Sequence, residues 1–123
     1  MLRGKRMGTP VRSIVGYSPG SRHTPNVVRD LVYGCWCKGK RIAGIQFPPM
    51  PLLSVLATLR NDGHRVSFYD DALEPPGSRR LGALVGDADA VLVLTSTMTV
   101  REDAEALAAL KRDSPGLRTI VFG

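Results

Sequence analysis

Cysteine and histidine are scarce in this chain, with two of each among 123 residues. Two cysteines cannot build a disulfide framework, and the C-x-C spacing of Cys35 and Cys37 would close only a tiny, strained ring. They read as thiols in a reducing compartment. A closed zinc site needs four ligands at suitable spacing. Only His23 and His64 remain to join the cysteines, and His64 follows a helix-ending glycine, far from them. No metal site built by this chain alone is expected. Long apolar runs are missing too, since none approaches the roughly 20 residues that span a bilayer. The N-terminus, MLRGKRMGTPVR, is basic but lacks the apolar core of a secretory signal. The expectation is a soluble, cytoplasmic protein outside the membrane.

Acidic residues are also outnumbered, 11 against 17 Lys and Arg, for a formal net charge of +6. Clustered basic residues neutralise phosphates and release counterions. Here Arg3, Lys5, Arg6 and Arg12 fall in the N-terminal stretch, and Arg29, Lys38, Lys40 and Arg41 in one later segment. The others are scattered, most of them over predicted helices. No nucleic-acid-binding module accompanies this charge. It reads as solvated surface plus an anion-friendly loop, and nucleic acid is not the expected partner.

What is present suits a globular fold. Apolar content of 43% and charged content of 23% are ordinary, and 123 residues can bury one modest core. Residues 1–10 read as a basic, disordered arm and 11–123 as a single domain. Val11 to Tyr17 is short, β-branched and partly alternating, and predicts a first strand. About thirty residues without sustained periodicity follow, to Pro49. Connections of that length inside compact domains are usually functional or disordered.

Met50 to Asp62 predicts a helix, because Leu52, Val55, Leu56 and Leu59 form one apolar stripe at i, i+3, i+4 and i+7. Pro51 is tolerated in its first turn and Gly63 supplies a left-handed stop. Arg65 to Asp70 alternates as a second strand. Glu74-Pro75-Pro76-Gly77 breaks the chain, and Ser78 is expected to cap a short helix carrying Leu81, Leu84 and Val85. Ala90 to Thr95 is almost continuously apolar, as a parallel strand buried on both faces should be. Thr99-Val100-Arg101-Glu102 has the form of a capping box. The helix it opens is expected to reach Asp113 and to bury Val100, Ala104, Leu107 and Ala108. Leu117 to Phe122 closes the series as a fourth strand.

Alternating strands and helices imply an α/β domain with a parallel sheet and right-handed crossovers. The expected architecture is three-layered and Rossmann-like, of flavodoxin-like type, with strand order 2-1-3-4. A doubly wound sheet ordinarily continues beyond a fourth strand, so a last helix and strand are expected to be missing, as in a fragment. Ligands of such sheets bind beyond the carboxyl ends of the strands, where the order reverses. That places the segments Ser18 to Pro49 and Ser96 to Met98 at the binding lip. The hydroxyl run Thr95, Ser96, Thr97 and Thr99 can bond ligand oxygens or amides there. Thr95 and Thr99 equally suit a strand end and a helix cap.

Several motifs fail on spacing. Gly34 to Lys40 fits the first seven places of a G-x4-G-K phosphate loop, but Arg41 replaces the metal-binding hydroxyl, and no strand leads in or helix out. Asp70-Asp71 ends the second strand, where dinucleotide folds place an acid for the ribose, yet no G-x-G-x-x-G turn follows the first strand. The third strand ends in Thr95-Ser96 rather than the aspartate of a phospho-acceptor domain. No Ser–His–Asp or Cys–His arrangement is present, so no catalytic residue is assigned.

The stretch RDLVYGCWCKGKRIAGIQFPPMPLLSVLATLRNDGHRVSFYDD closely resembles the opening of cobalamin-dependent radical S-adenosylmethionine enzymes. Their N-terminal cobalamin-binding domain has a first strand, a loop ending in Pro-Pro-aliphatic, and a helix ending LR-x-x-GH-x-V. ADAVLVLTSTMT and LKRDSPGLRTIVFG resemble the later part of that domain, and the likeness covers nearly everything from Val11 onward. It implies cobalamin binding, with the corrin over the carboxyl edge of the sheet. Pro48, Pro49 and Leu52 would shape an apolar wall, and Ser96, Thr97 and Met98 the opposite side. Thr95 would reach the nucleotide tail, and Gly123 would admit backbone to close approach. The catalytic half, with its C-x3-C-x2-C iron–sulfur motif, is absent from this sequence. Iron–sulfur cluster and S-adenosylmethionine therefore belong to a full-length relative or a separate catalytic partner domain.

A second cobalamin family holds cobalt through the histidine of D-x-H-x-x-G. The nearest segment, Ser21 to Asn26, lacks both the aspartate that would orient the ring and the glycine. His23 is thus a poor cobalt ligand, and base-off binding without a protein histidine is the expectation. The alternative is a stand-alone flavodoxin-like module for a phosphate-bearing nucleotide or a partner protein.

Overall fold

Four strands lie parallel in one sheet, and the order in which they lie fixes where a crevice opens. A computed structural model describes residues 10–20, 27–28, 37–38, 49–75, 77–97 and 99–123. The N-terminal arm up to residue 9, His23, Cys35, Pro48 and Met98 fall outside the described residues. The elements are β1 (Ser13–Ser18), β2 (Val27–Val28), β3 (Cys37–Lys38), α1 (Met50–Asn61), β4 (Arg65–Asp70), α2 (Arg80–Gly86), β5 (Ala90–Leu94), α3 (Val100–Asp113) and β6 (Arg118–Phe122). The sheet runs β4-β1-β5-β6, which is the expected 2-1-3-4. Ser13 pairs with Arg65 and Ser18 with Asp70 on one side of β1. Ile14 pairs with Ala90 on the other side, and Leu94 with Phe122 between β5 and β6. Within the long connection after β1, β2 and β3 form a short antiparallel pair that the sequence reading left as loop.

Helices cover both faces of the sheet, so the domain has three layers. Leu52 and Leu56 of α1 are buried against Ile14, Leu92 and Leu94. Burying a leucine side chain completely contributes about 1.5–3 kcal/mol, and Leu52 is 0% exposed. On the other face, Val85 of α2 and Leu107 of α3 join Val15, Tyr17, Tyr69, Val91 and Val93. All five residues of β5 are buried, as its continuous apolar run predicts. Gly63 takes the left-handed conformation, φ +95°, just beyond α1. The remaining boundaries differ from the sequence reading by one or two residues, where strands and helices fray.

Three local expectations are corrected. The N-cap of α2 is Arg79 rather than Ser78, although the Ser78 hydroxyl still accepts a 3.3 Å hydrogen bond from the Arg80 N–H. Thr99 is the N-cap of α3, but its hydroxyl makes no capping bond and instead donates to the Asp103 carboxylate at 2.9 Å. The capping box with Glu102 is thereby replaced. The buried stripe of α3 is also rotated. Asp103 and Leu107 are buried, with Ala106 and Leu110 packed partly in, whereas Ala104 and Ala108 are exposed and Val100 is 49% exposed.

The amino edge of the sheet is tied by side chains of two preceding turns. Asp89 Oδ2 accepts from the Ser13 N–H at 2.8 Å, and His64 Nδ1 accepts from the Arg12 N–H at 3.0 Å. His64 thus sits at the edge opposite the expected binding lip. No helix among the described residues is long and apolar enough to cross a membrane.

Candidate functional site

Beyond the carboxyl ends of β5 and β6 the chain opens a cleft of about 820 Å³. Its position follows from the topology. α1 packs on one face of the sheet and α3 on the other, and their N-terminal residues Pro51 and Val100 both reach the carboxyl end of β5. Pro51 of α1 and Val100 of α3 stand on either side of the cleft. Leu94, Phe122 and Gly123 line it from the strand ends, together with Thr95, Ser96 and Thr97 from the β5–α3 turn. The wall is mainly apolar and the rim carries hydroxyls.

Backbone bonds fix that rim. The Thr95 N–H donates to the Phe122 carbonyl at 2.8 Å, which carries the β5–β6 ladder one step past Leu94. The Ser96 carbonyl accepts from the Thr99 N–H at 3.1 Å and the Val100 N–H at 2.9 Å, turning the chain into α3. Gly123 has φ +154°, and a Cβ there would collide with the Thr95 carbonyl oxygen and lie 3.0 Å from its carbonyl carbon. Glycine is required at this position because two backbones meet side by side.

Beneath the rim lies a buried polar cluster. Asp103 and Thr99 are each 1% exposed. Asp103 Oδ2 accepts from the Thr95 hydroxyl at 2.7 Å and from the Thr99 hydroxyl at 2.9 Å. Ser96 Oγ lies 3.2 Å from Thr99 Oγ1. A carboxylate at this depth is admissible because it is hydrogen-bonded and sits in the first turn of α3, where the helix dipole favours negative charge.

A second corner lies at the carboxyl ends of β1 and β4. Asp71 Oδ2 accepts from the Tyr17 hydroxyl at 2.8 Å and from the Gly20 N–H at 2.7 Å, and Asp70 Oδ1 accepts from the Ala72 N–H at 2.9 Å. These carboxylates organise the loops after β1 and β4. Tyr17 and Tyr69 pack edge to face at 5.9 Å, and the Arg80 guanidinium lies over the Tyr69 ring while pairing with Glu74. Among the described residues, no three His, Cys, Asp or Glu side chains gather in a metal-binding group.

Of the residues proposed from sequence, Thr95, Ser96, Thr97 and Gly123 come together at the cleft. Pro49 and Leu52 do not line it; both are fully buried, and Leu52 supports Leu94 from beneath. Their wall position is taken by Pro51. Val100 and Phe122 were read only as a core residue and a strand end, and Leu94 only as part of a buried strand. Asp103 is not among the residues expected from sequence, although Thr99-x3-Asp103 spacing puts a hydroxyl and a carboxylate on one helical face. Comparison with protein-family models, curated proteins and solved structures finds no match to this chain.

Proposed function

We propose that the cleft binds cobalamin, and that the chain is a cobalamin-binding domain of the kind found in cobalamin-dependent radical S-adenosylmethionine enzymes. The observation that carries this reading is a broad, mainly apolar crevice at the carboxyl ends of β5 and β6, about 820 Å³ in volume. A corrin is a wide, flat ring edged with methyl groups and amide side chains. Leu94, Val100, Phe122 and Pro51 suit its apolar surface, and the hydroxyl rim of Thr95, Ser96 and Thr97 suits its amides. The likeness of the sequence from Val11 onward supports the same class.

On this reading the chain supplies binding and orientation, and cobalt takes no ligand from it. Gly123 keeps the floor of the cleft low enough for close approach of the ring. Bound cobalamin supplies a cobalt-held methyl group or assists radical chemistry, with an iron–sulfur catalytic domain as the partner.

The test is to purify the chain in the presence of hydroxocobalamin and record the visible spectrum after gel filtration. Circular dichroism verifies the fold. A retained corrin with a base-off spectrum is expected. A folded chain that retains no corrin removes the reading, while a base-on spectrum contradicts only the base-off mode of binding.

A further inference from the structure

We infer that Asp103 sets the hydrogen-bond polarity of Thr95 and Ser96 in the cleft, so that these two hydroxyls accept from a ligand's N–H donors rather than donate to a phosphate. The inference deepens the cobalamin reading and rests on it for the ligand class.

The argument is a count of protons. A threonine or serine hydroxyl has one proton to donate and two lone pairs with which to accept. The Thr95 and Thr99 hydroxyls both direct their protons to Asp103 Oδ2, at 2.7 and 2.9 Å. With its proton committed, Thr99 Oγ1 can only accept from Ser96 Oγ, 3.2 Å away. The three hydroxyl protons therefore run inward to a carboxylate that is 1% exposed. Thr95 and Ser96, which line the cleft, turn oxygen lone pairs toward it.

Acceptors at Thr95 and Ser96 suit carboxamide groups, whose NH2 is a double donor. It does not suit a phosphate, whose oxygens only accept. The N-terminus of α3 would ordinarily attract an anion through its free N–H groups and dipole. Here the Thr99 and Val100 N–H groups are held by the Ser96 carbonyl, and the Asp103 carboxylate offsets the dipole from within the first turn. The same geometry weighs against the phosphate-nucleotide alternative raised by the sequence.

Asp103 touches no ligand on this view and acts through Thr95, Thr99 and Ser96, so it is a positioning residue. Its test uses dicyanocobinamide, a corrin with amides but no nucleotide phosphate, and adenosine monophosphate as the phosphate probe. Both are measured by equilibrium dialysis on the full chain and on Asp103→Ala. The wild-type chain is expected to bind the cobinamide and to exclude the nucleotide. In Asp103→Ala both hydroxyl protons lose their acceptor and are free to turn to the cleft, and cobinamide binding should weaken about tenfold, the scale of one hydrogen bond. Unchanged binding in the variant, or a wild-type preference for the nucleotide, overturns the inference.

Thr95→Val serves if the alanine variant does not fold, because it removes one rim acceptor and leaves Thr99 on Asp103. It too should weaken cobinamide about tenfold; full retention by a folded Thr95→Val chain is the contrary result. A ligand-free readout separates the two readings. Slowly exchanging hydroxyl proton signals from Thr95 and Thr99 should appear in the nuclear magnetic resonance spectrum of the wild-type chain. Their absence refutes the polarity assignment whatever the corrin does. Their presence in a chain that binds no corrin leaves the assignment standing and removes cobalamin.

Discussion

Gly16 of β1 lies directly under Leu56 of α1, so closely that a Cβ at position 16 would lie 3.0 Å from Leu56 Cδ2 and nearer still to Cδ1. The missing side chain is what lets α1 settle onto the sheet at the depth that buries Leu52 and Leu56. Replacing Gly16 with valine should overpack this contact and destabilise the domain by about 1–3 kcal/mol. Urea unfolding checks this. A second change, Leu56→Ala, should cost less in the Gly16→Val background than alone, because the two occupy the same space.

The rotated face of α3 gives a paired expectation. Leu107 is buried in the core, so Leu107→Ala should cost about 2–5 kcal/mol. Val100 lines the cleft at 49% exposure, so Val100→Ser should leave stability within about 0.5 kcal/mol and reduce corrin retention. If Val100→Ser instead unfolds the domain as readily as Leu107→Ala, the helix faces the sheet as the sequence pattern alone suggested.

That pair also shows why parts of the molecule were legible and parts were not. β5 is apolar at every position and α1 carries a clean stripe, so burial and period agree and both elements emerge from the sequence. α3 is rich in alanine, which marks either face equally well. Its phase is decided instead by Asp103, a charged residue buried because two threonines donate to it. A sequence pattern that assigns charge to solvent must place this helix wrongly. The hydroxyl run was legible as a rim because topology sets the carboxyl edge of β5. The apolar wall was not, since Val100 and Phe122 could equally be core, and only the three-dimensional gap between α1 and α3 leaves them open.

At the other corner of the carboxyl edge, Tyr17 and Asp71 should be energetically coupled. Tyr17 is buried and its hydroxyl donates to Asp71, which also holds the Gly20 N–H. Tyr17→Phe should cost about 0.5–1.5 kcal/mol, the net worth of one hydrogen bond. A double-mutant cycle with Asp71→Ala is expected to give a coupling of at least about 0.5 kcal/mol. Additive effects would mean that Asp71 serves only the loop after β1.

At the amino edge, Asp89→Ala removes the acceptor of the Ser13 N–H, leaving that donor to water. Since the bond is exposed, the loss should be about 0.5–1 kcal/mol, near the lower part of the range for hydrogen bonds. Corrin retention should be unaffected, because the cleft lies at the opposite edge. Measuring both quantities on one variant separates fold from site: a stability loss with full retention is expected, and lost retention in a folded chain would contradict the two-edge arrangement.

The closest backbone approach in the cleft yields a sharper local test. Gly123 abuts the Thr95 carbonyl at φ +154°, a conformation L side chains rarely adopt. In Gly123→Ala the chain must move away from Thr95, and the movement begins at Phe122, whose carbonyl holds the Thr95 N–H at 2.8 Å. Hydrogen exchange at the Thr95 amide should therefore accelerate about tenfold, corresponding to roughly 1.4 kcal/mol of lost local protection. The amides of β4 should keep their rates, because β1 and β5 separate that strand from β6 and Gly123. Corrin retention should fall with the Thr95 protection, since the same displacement raises the floor of the cleft. Unchanged Thr95 exchange would show that the meeting of these two backbones is dispensable, and Gly123 would then have no part in shaping the site.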